Sequence, residues 1–389
     1  VYQVCRLPVK DLYVQHAGLF VRFRSEQERS ERNEMASLAA QGVGMLEWTM
    51  LTPAIPALIL APMDGITDAP MRALQGETGA FTFAVTEFLR VSSEVPPKKV
   101  FHRHVPELGH GGLTPTGLPV QVQLLGGDPG RMGEAAAVAC EAGAKAIDIN
   151  FGCPAPTVNR HDGGATLLKY PTRIRDIVAA VRAAVPRDIP VSAKLRLGWD
   201  RIDSIFENAE RAAEGGASWL TIHGRTRAAG YAPPAHWGPI GAVRERLGLP
   251  VVANGDIWTI EAFRRCRDET GCRHFMLGRG ALADPTLAWQ VAIELGSAVS
   301  TGAAARALDR AQSDPDAVRP WICRFERLIE YTHLYQDTVP NKALFRLKQW
   351  LRIASVHGRF GAFEAIKRAQ SVDEVFATLA EAENGSPSK

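Results

Sequence analysis

Ala57-Leu58-Ile59-Leu60-Ala61-Pro62-Met63-Asp64-Gly65 is the stretch on which the fold turns. Its unbroken apolar run reads as a short strand over 57–61, covered on both faces as parallel strands are. A doubly wound open sheet expects a Gly-x-Gly-x-x-Gly turn after such a first strand. Pro62-Met63-Asp64-Gly65 stands there instead, so the chain reads as a closed barrel.

Outward from this stretch, further apolar runs predict strands at 81–86, 119–125, 145–150, 190–195, 218–223, 250–254 and 273–277. Helices are expected between them at 129–142, 171–185, 202–214 and 259–270, several opening on Pro, Asp or Thr and closing near Gly. Eight βα units in roughly 240 residues match the size of a (β/α)8 TIM barrel.

Each predicted strand ends in a polar or phosphate-friendly group: Met63 and Asp64, Glu87, Gln123, Asn150, Lys194, His223, Asn254, then Gly278-Arg279-Gly280. Any one has a bland explanation, such as a helix cap or a satisfied core histidine. In register at one mouth they point to a shared ligand, since unpaired polar groups above buried strands would cost stability. Asn254-Gly255-Asp256 and Gly278-Arg279-Gly280 follow the last two strands, where barrels bind phosphate. Gln123 and Lys194 suit a planar heterocycle that needs amide pairing and a positive charge. FMN satisfies both halves; a sugar phosphate accounts for one.

Asp148-Ile149-Asn150-Phe151-Gly152-Cys153-Pro154 places a cysteine just past a buried strand, on a loop stiffened by Pro154 and Pro156 and followed by Gly163-Gly164. A cysteine is most often an inert small hydrophobe; its position at the mouth makes this one a candidate for chemistry.

Composition sets the outer limits. The chain has 389 residues, 46% hydrophobic and 22% charged, with a net charge of +3. That describes a globular protein and does not by itself announce a nucleic-acid binder. The six cysteines form no Cys-x-x-Cys pair, so neither a zinc site nor a dithiol motif is expected. No run of 18 apolar residues occurs. A cytoplasmic, metal-free, monomeric protein is the expectation. Residues 1–56 carry six basic and six acidic residues without apolar periodicity, and Met35, Met45 and Met50 precede the first strand. They are expected to be a poorly ordered extension or a start-site artefact. The barrel is expected over 57–295, a linker over 296–318, a helical domain over 319–382 and a tail over 383–389. Between 319 and 370 there are ten basic and four acidic residues, +6 locally, with Arg346, Lys348 and Arg352 flanking Trp350. This one-signed bias favours phosphate contacts over a merely solvated bundle.

The motifs together resemble the tRNA-dihydrouridine synthases, and among them the bacterial subfamily acting on uridine 16. The resemblance is carried by Leu60-Ala61-Pro62-Met63-Asp64-Gly65, Thr86-Glu87-Phe88-Leu89-Arg90-Val91, Val122-Gln123-Leu124-Leu125-Gly126 and Asn150-Phe151-Gly152-Cys153-Pro154. It continues through Gly163-Gly164-Ala165-Thr166-Leu167-Leu168, Lys194-Leu195-Arg196-Leu197-Gly198-Trp199, His223-Gly224-Arg225-Thr226, Asn254-Gly255-Asp256 and Gly278-Arg279-Gly280. It implies that FMN, reduced by NADPH, delivers a hydride to C6 of a uracil in tRNA, and that Cys153 protonates C5. It implies that Pro62, Met63, Asp64, Gln123, Lys194, His223, Asn254, Gly255, Asp256, Gly278 and Arg279 bind FMN. It implies RNA contacts for Arg90, Asn150, Arg196, Tyr231, Arg346, Lys348 and position 353. The chain departs from the family in two places. Ala155-Pro156-Thr157 stands where a lysine is usual after the Cys-Pro pair, with Arg160 nearby as a substitute charge, and Ile353 stands where a tyrosine is expected. An FMN barrel acting on a free pyrimidine, or a catalytically silent RNA-binding protein, would be the alternatives. The basic helical region argues against the first, and the intact set Gln123, Cys153, Lys194 and His223 against the second.

Overall fold

The computed structural model describes residues 51–52, 54–160, 162–297, 319–336, 341–358 and 360–383. Almost all of the expected extension 1–56, linker 296–318 and tail 383–389 lies outside the described residues.

Nine strands are present among them: β1 Ala57–Leu60, β2 Phe83–Val85, β3 Leu89–Arg90, β4 Val120–Leu125, β5 Ile147–Asn150, β6 Val191–Arg196, β7 Trp219–His223, β8 Val251–Asn254 and β9 His274–Leu277. All pairings between them are parallel, β1 joins β9, and β2 joins both β1 and β4, which closes the ring. The fold is a (β/α)8 barrel followed by further helices. The eight expected strands are all found; β3, two residues beside the end of β4, escaped the sequence because nothing so short carries a pattern.

Period-two alternation sorts the side chains. Leu58, Leu60, Val122, Leu124, Ile147 and Ile149 join the layer between strands and helices. Ala57, Ile59, Phe83, Val85, Trp219, Val252 and Met276 make a separate cluster. The same alternation gives Gln123, Asn150, Lys194, His223 and Asn254 a common face at the strand ends.

The helices are α1 Ala69–Gly76, α2 Lys98–His104, α3 Pro129–Glu141, α4 Pro156–Asn159, α5 Pro171–Ala184, α6 Ser204–Glu214, α7 Gly238–Arg246, α8 Ile260–Thr270, α9 Arg279–Ala283 and α10 Leu287–Glu294. Beyond the barrel come α11 Arg319–Gln336, α12 Lys342–His357, α13 Phe363–Ile366 and α14 Val372–Glu383. Asp68, Asp128 and Thr259 cap α1, α3 and α8 by accepting from Met71 N, Arg131 N and Ala262 N.

The terminal helices pack on the barrel through α1. Met71 and Leu74 share an apolar cluster with Trp321, Phe325, Leu347 and Trp350. Two arginines reinforce the seam. Arg346 binds Asp68 at the start of α1, while Arg327 donates to Glu77 Oε1 at 2.7 Å beside the end of α1, where Tyr331 also donates to it at 2.7 Å. Arg324 turns inward over Trp350, and burial pushes its guanidinium down to about 10. The basic excess of this region therefore does not all face outward: Arg324, Arg327 and Arg346 are turned to the seam with the barrel.

Candidate active site

The mouth opens into a cavity of about 330 Å³, and every residue assigned to the flavin lines it. So do Cys153, Asn150, Arg196 and Tyr231, whereas Arg90, Arg346, Lys348 and Ile353 do not.

The floor of the site is a chain of amides and a carboxylate. Gln123 Nε2 donates to Asp148 Oδ2 at 2.7 Å, and Gln123 Oε1 accepts from Asn150 Nδ2 at 2.9 Å. Asp148 also accepts from Ser192 Oγ. Burial raises its carboxyl to about 6, so at neutral pH it remains an acceptor that fixes the amide's orientation. These contacts leave Gln123 one N–H and one lone pair for a ligand. Asp148 opens the stretch that runs to Pro154, yet nothing in the sequence around it signals this orienting role.

Asn150, expected at the nucleotide, has a local task as well. Its Oδ1 accepts from the backbone N–H of Gly152 and of Cys153, both at 2.9 Å, which bends the chain sharply after β5. From β6, Arg196 Nε donates to Gly152 O at 2.7 Å. The Cys153 thiol is thereby fastened at the cavity wall from two strands. Burial raises its pKa, with the nearby Arg196 and Arg90 pulling the other way. The thiol is therefore protonated at neutral pH.

Lys194 stands on the other side of Asn150. Its Nζ donates to Asn254 Oδ1 at 3.2 Å, and burial followed by Arg196 lowers it to about 8. It stays cationic at pH 7. Burial, then Arg196, Lys194, Arg225 and Arg279, push His223 well below its ordinary value, so its imidazole is neutral. Glu87, read as a strand end but given no role, accepts from Gly65 N at 2.5 Å, and burial followed by Asp68 raises it to about 7.

The far end of the mouth suits an anion. Gly255 has φ +118, and a Cβ there would lie 2.8 Å from His223; a Cβ on Gly280 would lie 2.2 Å from Ile257 O. The two loops approach by backbone alone. Arg279 lies over the rings of Tyr231 at 4.8 Å and Trp258 at 5.1 Å and, among the described residues, forms no salt bridge. Asp256 is already engaged: it binds Arg225 and accepts from Ala235 N at 2.7 Å and Trp258 Nε1 at 3.3 Å. Its work is to hold the loop, and Arg225 and Trp258 are contributors the sequence reading passed over. A ring over Lys194 and Gln123 with a phosphate at Arg279 fits these donors, so the residues present suit FMN.

Arg90 is exposed at the end of β3, close enough to bear on Cys153. Arg346 is mostly buried against Asp68, Lys348 is half-buried on α12, and Ile353 packs on the apolar cluster of the terminal helices. Among the described residues no helix is long and apolar enough to cross a membrane.

A barrel mouth built this way is that of an oxidoreductase with a flavin-type site. The dihydrouridine synthase family model matches residues 59–352, and the chain belongs to that family of flavin-dependent oxidoreductases. It is 40% identical over 325 residues to the tRNA-dihydrouridine(16) synthase of Aquipseudomonas alcaligenes, covering 83% of this chain and 98% of that protein. It is 48% identical over 235 residues to the enzyme of that name from Pseudomonas syringae pv. tomato, covering 60% of this chain and 74% of the relative. The Neisseria meningitidis serogroup B enzyme of the same name is 40% identical over 330 residues, 84% of this chain and 94% of its own.

Proposed function

We propose that this protein reduces uridine 16 of tRNA to 5,6-dihydrouridine, with FMN as bound cofactor and NADPH as its reductant. The barrel, 57–295, does the chemistry and the helical domain, 319–382, helps hold the RNA. The observation that carries the reading is Cys153, a protonated thiol held at the cavity wall by Asn150 and Arg196. When bound, the reduced flavin supplies a hydride to C6 of the uracil.

The chain's own residues do the rest. Gln123 and Lys194 hold and polarise the ring edge, and Arg279 takes the phosphate. Asn150 and Tyr231 flank the target base, which must leave its stack to enter. Cys153 gives its proton to C5: the S–H bond breaks, the C5–H bond forms, and the thiolate is reprotonated from solvent. Neutral His223 offers a hydrogen bond without adding a cation. Outside the cavity Arg90, Lys348 and Arg160 are assigned to the RNA, with Ile353 giving apolar contact, while Arg346 is assigned to the seam with the barrel through its pairing with Asp68. The protein works as a monomer in the cytoplasm.

The test is a purified protein incubated with an unmodified tRNA transcript and NADPH, with dihydrouridine mapped by mass spectrometry. Reduction at position 16 by a yellow protein is expected. Flavin-loaded protein that reduces no uridine would overturn the proposal, and reduction elsewhere would overturn the position.

A further inference from the structure

We infer that Lys169, Trp199 and Arg227 form a second grip for the RNA backbone, across the mouth from the helical domain. The inference rests on the reading of tRNA as substrate. Lys169 Nζ lies 3.8 Å from the centroid of the Trp199 ring, and Arg227 Cζ lies 4.4 Å from it. Two cations thus share one indole. Nearby arginines have acidic partners, Arg201 with Asp203 and Arg173 with Asp162, but among the described residues neither Lys169 nor Arg227 has one. Arg227 Nε is likewise without a hydrogen-bond partner there. The indole's negative face holds each cation in place. Two like charges kept together without a carboxylate are complementary to a polyanion.

Topology puts this cluster where a long substrate would need it. Around the ring the order is β1, β9, β8, β7, β6, β5, β4, β2. The terminal helices lean on α1 and α9, which follow β1 and β9. The strands diametrically opposite are β6 and β5, and Trp199 follows β6 while Lys169 closes the 3-10 turn after β5. Arg227 comes from the neighbouring loop after β7.

The loops that carry Trp199 and Arg227 are tied to each other and to the site. Arg227 N donates to Gly198 O and Ala228 N to Trp199 O, both at 2.8 Å. Arg196 Nη1 donates to Thr226 O at 3.1 Å and Gly230 O at 2.7 Å, while its Nε holds Gly152. One guanidinium therefore fixes both the loop carrying Arg227 and the loop carrying Cys153. Lys169 and the adjoining Tyr170 are exposed. Trp199, its ring occupied by cations, positions them rather than stacking a base.

The test is equilibrium binding of a tRNA transcript to the flavin-loaded full chain across a salt series. For the double variant Lys169→Ala/Arg227→Ala we expect binding about tenfold weaker and a log–log salt slope smaller by roughly 1–2, as two lost phosphate contacts require. Lys169→Glu, at an exposed position, should weaken binding severalfold on its own, and Lys169→Arg should bind as wild type. Flavin content and melting temperature should not change. Wild-type affinity and slope in both the double variant and Lys169→Glu would overturn the grip. A wild-type protein that itself showed no salt-dependent tRNA binding would instead overturn the reading of the substrate.

Discussion

Arg196 Nε donates to the carbonyl of Gly152 at 2.7 Å, so the residue beside Cys153 is anchored to the adjacent strand. One consequence is that the loop's position depends on a guanidinium fork. A lysine cannot reach Gly152, Thr226 and Gly230 together. Arg196→Lys should lower kcat about tenfold while leaving flavin affinity within about twofold, as displacement of a catalytic group does. Single-turnover reduction and flavin fluorescence titration separate the two; an unchanged kcat would show that Asn150 alone suffices.

Removing the acid is a cleaner cut. Cys153→Ala should keep the flavin and the fold and lose on the order of 10²–10⁴ in dihydrouridine formation. Turnover at the wild-type rate would refute the thiol as proton donor.

The pH profile should have an alkaline limb set first by Lys194. Lys194 and Cys153 both act in their protonated forms. Lys194 loses its charge above about pH 8, whereas burial keeps the thiol protonated to higher pH than usual. The rate should therefore fall as pH rises past 8. Lys194→Arg, slower but permanently charged, should move the limb upward. A limb unmoved in that variant would assign it to another group.

Arg346 separates two roles that sequence alone confounds. Its pairing with Asp68 predicts that Arg346→Ala loses on the order of 3 kcal/mol, because it leaves a half-buried carboxylate unpaired. Denaturant unfolding measures this. Full stability with weakened tRNA binding would make Arg346 an RNA contact instead.

Much of the barrel could be read from the sequence because its information is local. Apolar runs bounded by Pro, Gly and polar residues located all eight main strands, and strand-end polar residues located the mouth. What could not be read is pairing over distance. Nothing near Arg327 or Arg346 announces that Glu77 and Asp68 await them 250 and 278 residues upstream. Ten basic residues in a helical stretch therefore looked outward when three of them turn in. Asp148, Arg225 and Trp258 were overlooked for a similar reason: each acts by orienting another residue, and such a role has no spacing signature.

The first helix of the barrel is clasped at both ends by the last part of the chain, Asp68 by Arg346 and Glu77 by Arg327. During synthesis this has a cost in time. The apolar side of α1, with Met71 and Leu74, leaves the ribosome long before Phe325, Leu347 and Trp350 exist to cover it. The ring cannot close until β9 meets β1 either. Nascent chains should stay incompletely folded until the helices that follow the barrel have been made and lean on chaperones meanwhile, the usual lot of folds built on distant contacts.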